Sequence, residues 1–124
     1  MTKQRRLLLV EDLGLAGQLS PALTQAGWTV QTCTSAREAI YLIKQQEVDG
    51  LLIAATLPDE RGDVVFYRLS ASQPQLRTHT AFFTRTSHER EVVETTQRID
   101  LKIPVTPDQV VRTVNDFYGT SRAS

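Results

Sequence analysis

Two kinds of apolar pattern alternate along the chain: short unbroken runs, and longer stretches in which apolar residues recur at three and four. Gly50 to Ala55 is almost wholly apolar without alternation, as in a central strand covered on both faces, and Pro58 and Gly62 close it as a loop. Leu7 to Val10 reads as a buried first strand with Glu11 and Asp12 directly at its carboxyl end. Thr29 to Cys33 alternates in part and predicts a second strand, and His79 to Phe83, ending at Thr84, a fourth. Ile99 to Ile103 places Ile99, Leu101 and Ile103 on one face and Asp100 and Lys102 on the other, a pattern suited to an edge strand.

Between these runs the period changes. Leu15, Leu19, Ala22, Leu23 and Ala26 predict a helix from about 13 to 26 ended by Gly27, and Pro21 predicts a kink or a poorly formed first half, since it withdraws a bond from the Gly17 carbonyl. Ser35 and Glu38 form a capping box for a second helix with Ala36, Ala39, Ile40 and Ile43 facing in. A third helix, about 63 to 71, turns Val65, Phe66 and Leu69 inward, and 72 to 77 is a loop around Pro74. A fourth starts at a Thr86 or Ser87 cap, with Glu89 reciprocating for Thr86, and ends near Gln97; it is the weakest, anchored by Val92 and Val93 alone. Thr106, Pro107, Asp108 and Gln109 make a strong start for a fifth, which buries Val110, Val111, Val114 and Phe117 and ends at Tyr118 and Gly119. Five strands alternating with five helices predict a doubly wound α/β sandwich on a parallel sheet, one domain over residues 1–119 with a flexible tail over 120–124.

Composition narrows the function classes. The 124 residues suffice for one domain, and a formal net charge of zero with signs intermixed gives no basic footprint for nucleic acid. No apolar run approaches the roughly 20 residues of a membrane span. The opening has too few apolar residues before Glu11 and Asp12 for a signal peptide. The single cysteine, Cys33, reads as a small core residue in a reducing compartment, so a cytoplasmic setting is expected. His79 and His88 have no companion at metal-ligand spacing. In an open α/β sheet the working site lies beyond the carboxyl ends of the strands, which points to Ala54 to Thr56, yet none of these is an acid, a base or a strong nucleophile.

Over essentially its whole length the chain resembles the receiver domain of bacterial two-component response regulators. The resemblance rests on Glu11 and Asp12 as the family's magnesium-binding acidic pair, on Asp49 through Pro58 as its third-strand segment, and on Gly62 in the loop behind. Thr84 falls at the switch hydroxyl and Pro104 at the proline that follows the invariant lysine. It implies a flavodoxin-like fold with sheet order 2-1-3-4-5. It also exposes departures: Ala54 stands where receivers have the phosphoacceptor aspartate, Ile103 where they have the lysine, and Asp100 where they have the aromatic that turns inward on activation. An alanine methyl cannot attack phosphorus, and isoleucine cannot neutralise a phosphoryl oxygen. The expectation is a degenerate site at Glu11, Asp12, Ala54, Thr56, Thr84 and Ile103 that has no catalytic residue and takes no phosphoryl group.

Glu11 and Asp12 alone could hold Mg²⁺ only weakly, because a hard cation wants more oxygens, and no other cofactor is indicated. Hydrogen bonding to the following loop is the simpler role for them. Arg85 could pair with either acid in place of a metal. Thr56 and Thr84 are expected to bond nearby backbone, and Asp59, Glu60 and Arg61 to form a solvated loop tip. The leading function is therefore a phosphorylation-independent module that binds a protein partner, a fused output domain or a second copy. Its expected surface is the one receivers use, with Glu91, Glu94, Arg98, Asp100, Lys102, Arg112 and Asp116 as candidates. The alternatives are a small-ligand sensor using the pocket left by the missing aspartate, and a phosphoacceptor using a non-standard residue. No helix-turn-helix follows within the sequence, so direct nucleic-acid and membrane contacts are not expected.

Overall fold

A computed structural model describes residues 4–118. Five parallel strands form one sheet in the order β2-β1-β3-β4-β5, with β1 Arg5–Val10, β2 Trp28–Cys33, β3 Gly50–Ala54, β4 Thr80–Thr84 and β5 Ile99–Lys102. The helices are α1 Ala16–Gln25, α2 Ala36–Gln45, α3 Gly62–Ser72, α4 Ser87–Thr96 and α5 Pro107–Asp116. The doubly wound fold and its strand order are those the sequence implied.

The unbroken apolar runs reflect two core layers. Side chains alternate across a strand, so Leu7, Leu9, Leu52, Ala81 and Phe83 pack under α1 and α5 against Leu19, Leu23, Val110 and Val114. Their neighbours Leu8, Val10, Leu51, Ile53 and Phe82 pack under α2, α3 and α4 against Ala39, Ile43, Val65, Phe66, Leu69 and Val93. In the edge strand β5 only Leu101 is buried; Ile99 is 41% exposed, because an edge strand has a sheet neighbour on one side alone.

The first helix departs most from expectation. It starts at Ala16, not near Leu13, and Gly14 adopts φ 76° in the turn before it. Pro21 lies inside α1, and the shortening falls at its start. The predicted 72–77 loop contains a 3-10 turn over Pro74–Arg77, held by the fully buried Leu76. Of the three predicted capping boxes, those at Thr86 and Thr106 are complete, while at Ser35 only the half from the Glu38 amide to the Ser35 side chain forms, because the Glu38 carboxylate takes the Thr34 amide. Gly119 and the predicted tail lie outside the described residues.

Gly62 brings the start of α3 against the end of β3. Its amide donates to the Ala55 carbonyl at 2.8 Å, and a Cβ built on it would lie 2.1 Å from the Ala54 carbonyl oxygen. Backbone atoms on both sides leave no flexible group to yield. Gly62→Ala is therefore expected to destabilise the fold by about 1–3 kcal/mol in urea unfolding. Gly17→Ala, in the exposed first turn of α1 with open space around it, should be neutral or stabilise by up to about 1 kcal/mol.

Candidate functional site

Glu11 follows β1, and its amide extends the ladder to β2 by donating to the Cys33 carbonyl at 3.0 Å. Its side chain is 4% exposed. One carboxylate oxygen accepts from the Leu13 amide at 2.7 Å and the Leu15 amide at 3.1 Å, and the other from the Ala16 amide at 3.1 Å. These donors compensate the buried charge and also explain the late start of α1, whose N-cap, Leu15, offers no side-chain acceptor. Asp12 is exposed. Arg85 pairs with neither acid: among the described residues the ion pair within 4 Å is Arg61 with Asp63.

At the ends of β3 and β4, Ala54 and Thr84 are packed, while Thr56 beyond β3 is exposed. Ala54 is 1% and Thr84 0% exposed, and Ile103 is half-buried, its amide donating to the Thr84 carbonyl at 2.9 Å. The Thr84 hydroxyl donates to the Asp100 carboxylate. Thr84 and Asp100 share a sheet face because Asp100 lies opposite Phe82 in the ladder. The Thr56 hydroxyl donates to Glu89 Oε2 at 2.6 Å, while Glu89 Oε1 accepts from the Arg85 amide at 2.6 Å and the Thr86 amide at 3.3 Å. Both threonines thus bond carboxylates, not the nearby backbone expected of them. Glu89 was recognisable as the reciprocal half of a capping box; that its second oxygen would reach Thr56, across to the β3 loop, was not.

The loop tip is also more engaged than expected. Asp59 accepts from the Ala36 amide at 2.8 Å and the Arg37 amide at 3.1 Å, so the β3–α3 loop caps α2 from 23 residues away. These amides hold its carboxyl below the usual aspartate range. Arg61 forks onto Asp63 with bonds of 3.0 and 2.7 Å and lowers its pKa. Glu38 reaches the Thr34 amide at 3.0 Å, one residue before the cap position assigned to it. Of the expected interface residues, Glu91, Glu94, Lys102, Arg112 and Asp116 are exposed. Arg98 instead donates to the Thr96 and Arg77 carbonyls, and Asp100 holds Thr84.

The donor set does not fit a divalent cation. Three of the roughly four lone-pair positions of Glu11 are occupied by amides, Ala54 contributes a methyl, and no group of three or more His, Cys, Asp or Glu side chains is gathered among the described residues. Cys33 offers no nucleophile, since burial, helped by the Glu38 carboxylate, pushes its thiol up to about 12.

Burial acts to raise the Glu89 pKa, but the Thr56 hydroxyl and the Arg85 and Thr86 amides outweigh it and hold the carboxyl below its ordinary value of 4.5. A carboxyl so depressed stabilises the fold above its unfolded pKa, and that contribution is lost as pH falls through the folded one. Glu89→Gln is expected to cost about 1 kcal/mol at neutral pH, with the deficit shrinking below about pH 4.5. Denaturant midpoints of both proteins across that range test this; a deficit constant with pH would contradict the role given to the charge.

No family model matches the chain, and no curated protein matches it. Solved structures do. A protein assigned as a response regulator from Chloroflexus aurantiacus superposes with a TM-score of 0.82 at 23% identity, covering 95% of this chain and 100% of that one. A response regulator receiver protein from Sinorhizobium medicae gives 0.80 at 21%, covering 93% and 94%. A CheY-like receiver domain from Methanospirillum hungatei gives 0.80 at 17%, covering 92% and 93%. At these identities the likeness is one of architecture: the chain has the receiver fold.

Proposed function

We propose that the chain is a receiver-like signalling module that acts through protein–protein interaction, without phosphorylation and without catalysing a reaction. The observation that carries this reading is the bond from Thr84 to Asp100. In receivers the switch hydroxyl is free to be drawn to a phosphoryl group, and an aromatic on strand 5 then takes up the space. Here the hydroxyl already has a carboxylate partner, supplied by the residue at the aromatic position. The two groups whose chemistry would break that pairing are absent, with Ala54 at the acceptor position and Ile103 at the lysine position.

The output is then a surface. The exposed residues Glu91, Glu94, Lys102, Arg112 and Asp116 on α4, β5 and α5 remain its candidates, and a protein partner, a fused output domain or a second copy its occupants. No described helix is long and apolar enough to cross a membrane, and the proposed setting is cytoplasmic. Ligand sensing at the old acceptor position has less support, since Ala54 and Thr84 are 1% and 0% exposed and a ligand would first have to displace packed side chains.

Incubation with acetyl phosphate and Mg²⁺ should leave the intact mass unchanged. Ala54→Asp should strengthen Mg²⁺ binding yet leave phosphorylation poor, because Ile103 still withholds the positive charge. An acid-labile phosphoryl group on Asp12 or another acid of the unaltered chain would contradict the proposal.

A further inference from the structure

The two edges of the sheet are protected unequally. β5 is short, carries Asp100 and Lys102 and is followed by Pro104, all features that discourage an edge from pairing with another chain. β2, at the opposite edge, is six residues of WTVQTC and has none of them. No charged residue occurs from Leu13 to Ala36, so neither β2 nor the helix before it supplies one. Thr29 and Thr32 are exposed and Val30 and Gln31 half-buried, so the middle of the strand reaches solvent.

The backbone groups of this edge can be assigned one by one. The Glu11 amide donates to the Cys33 carbonyl, so Cys33 faces β1, and strand alternation turns Gln31 and Thr29 the same way. The amides and carbonyls of Trp28, Val30 and Thr32 therefore point outward, and none of them has a partner among the described residues. These three are spaced symmetrically about Val30. A second β2, antiparallel and related by a two-fold axis at Val30, sets Val30 against Val30 and Trp28 against Thr32, and residues so paired exchange both of their hydrogen bonds. An axis at Gln31 would instead set Trp28 against Thr34, outside the strand.

The side chains also favour a second copy as the occupant. Thr29 falls opposite Gln31, on the α2 side of the sheet, and no like charges meet along the pair. Beside the edge on that side lies a groove of about 530 Å³ whose lining includes Cys33, Tyr41 and Leu42 together with Arg37 and Glu38. Its apolar part has room for the side chains of an added strand. Its charges are of both signs, so a copy bearing the same groove is not repelled.

We infer that β2 is a self-pairing edge, at which two copies of the chain join antiparallel about Val30 into one continuous sheet. This goes beyond the proposed function, since it concerns the edge of the sheet opposite the α4–β5–α5 surface and holds whether or not the chain accepts phosphate.

Amide hydrogen exchange on the full chain at low and high concentration, read beside sedimentation equilibrium, tests the inference. The chain should become dimeric as concentration rises, and the amides of Trp28, Val30 and Thr32 should gain protection in step. Those of Thr29, Gln31 and Cys33, bound to β1, should be protected throughout. In T29K/Q31K each lysine faces a lysine across the axis, and dimer affinity should fall about tenfold or more; in T29E/Q31K each lysine faces a glutamate, and affinity should return. Both variants lose the bond from the Gln46 amide to Gln31, so the comparison isolates the charge, and thermal unfolding checks that both fold. R112E/D116K should dimerise as the unaltered chain does, which separates this edge from the surface on α5. A chain monomeric even at millimolar concentration, a dimer whose outward β2 amides stay unprotected, or a T29E/Q31K variant that pairs no better than T29K/Q31K would overturn the inference. So would a monomer whose outward β2 amides are protected only by an added strand-forming peptide, since the edge would then belong to a foreign strand.

Discussion

Glu11 accepts three amide hydrogens in the turn between β1 and α1, and the late start of α1 follows from that commitment. A charge buried to this degree is tolerated only where donors replace its water, and the backbone of 13–16 supplies them by delaying the start of α1. Glu89 repeats the arrangement on the other side of β3, with two amides from its own helix start and the Thr56 hydroxyl from the β3 loop. Asp100 completes it by holding Thr84. Each of these three carboxylates is engaged in holding the chain's own structure.

The fold was legible because its signals were redundant. Apolar runs marked the buried strands, helical spacing marked the layers over them, and the capping signals placed the start of α5 at Thr106 and that of α4 at Thr86 or Ser87, of which Thr86 is the cap. The proposed reading of the site rests on residue identity: Ala54 and Ile103 offer neither a nucleophile nor a positive charge, which is plain without coordinates. What could not be read were bonds between residues distant in sequence. Asp59 looks like a solvated tip until the parallel sheet brings the β3 loop beside the start of α2. Thr56 and Thr84 look like hydroxyls with local backbone partners until the topology delivers Glu89 and Asp100. The late start of α1 is the same lesson on a smaller scale, since helical spacing from Leu15 onward carries no sign that Glu11 has claimed the preceding amides.

These bonds give the proposed function its physical content. A two-state signalling domain needs a lever, an input energy that favours one of two packings. In the proposed account the lever has gone with Ala54 and Ile103, and the residue at the third position, Asp100, is tied to the hydroxyl that would have moved. The outer faces are unaffected by that loss. α5 keeps its buried Val110 and Val114 and its complete cap, and the start of α2 is held by Asp59 of the β3–α3 loop. Rigid elements with exposed, unpaired charges bind by complementarity, without a conformational cost to meet first.

Relaxation dispersion on the backbone amides of Thr84, α4 and β5, recorded on the free chain and again with beryllofluoride and Mg²⁺, tests the central claim most directly. The account predicts flat profiles at all of these positions and no change on addition. A minor state shared by Thr84, α4 and β5, drawn to dominance by beryllofluoride, would show that the switch survives and would contradict it.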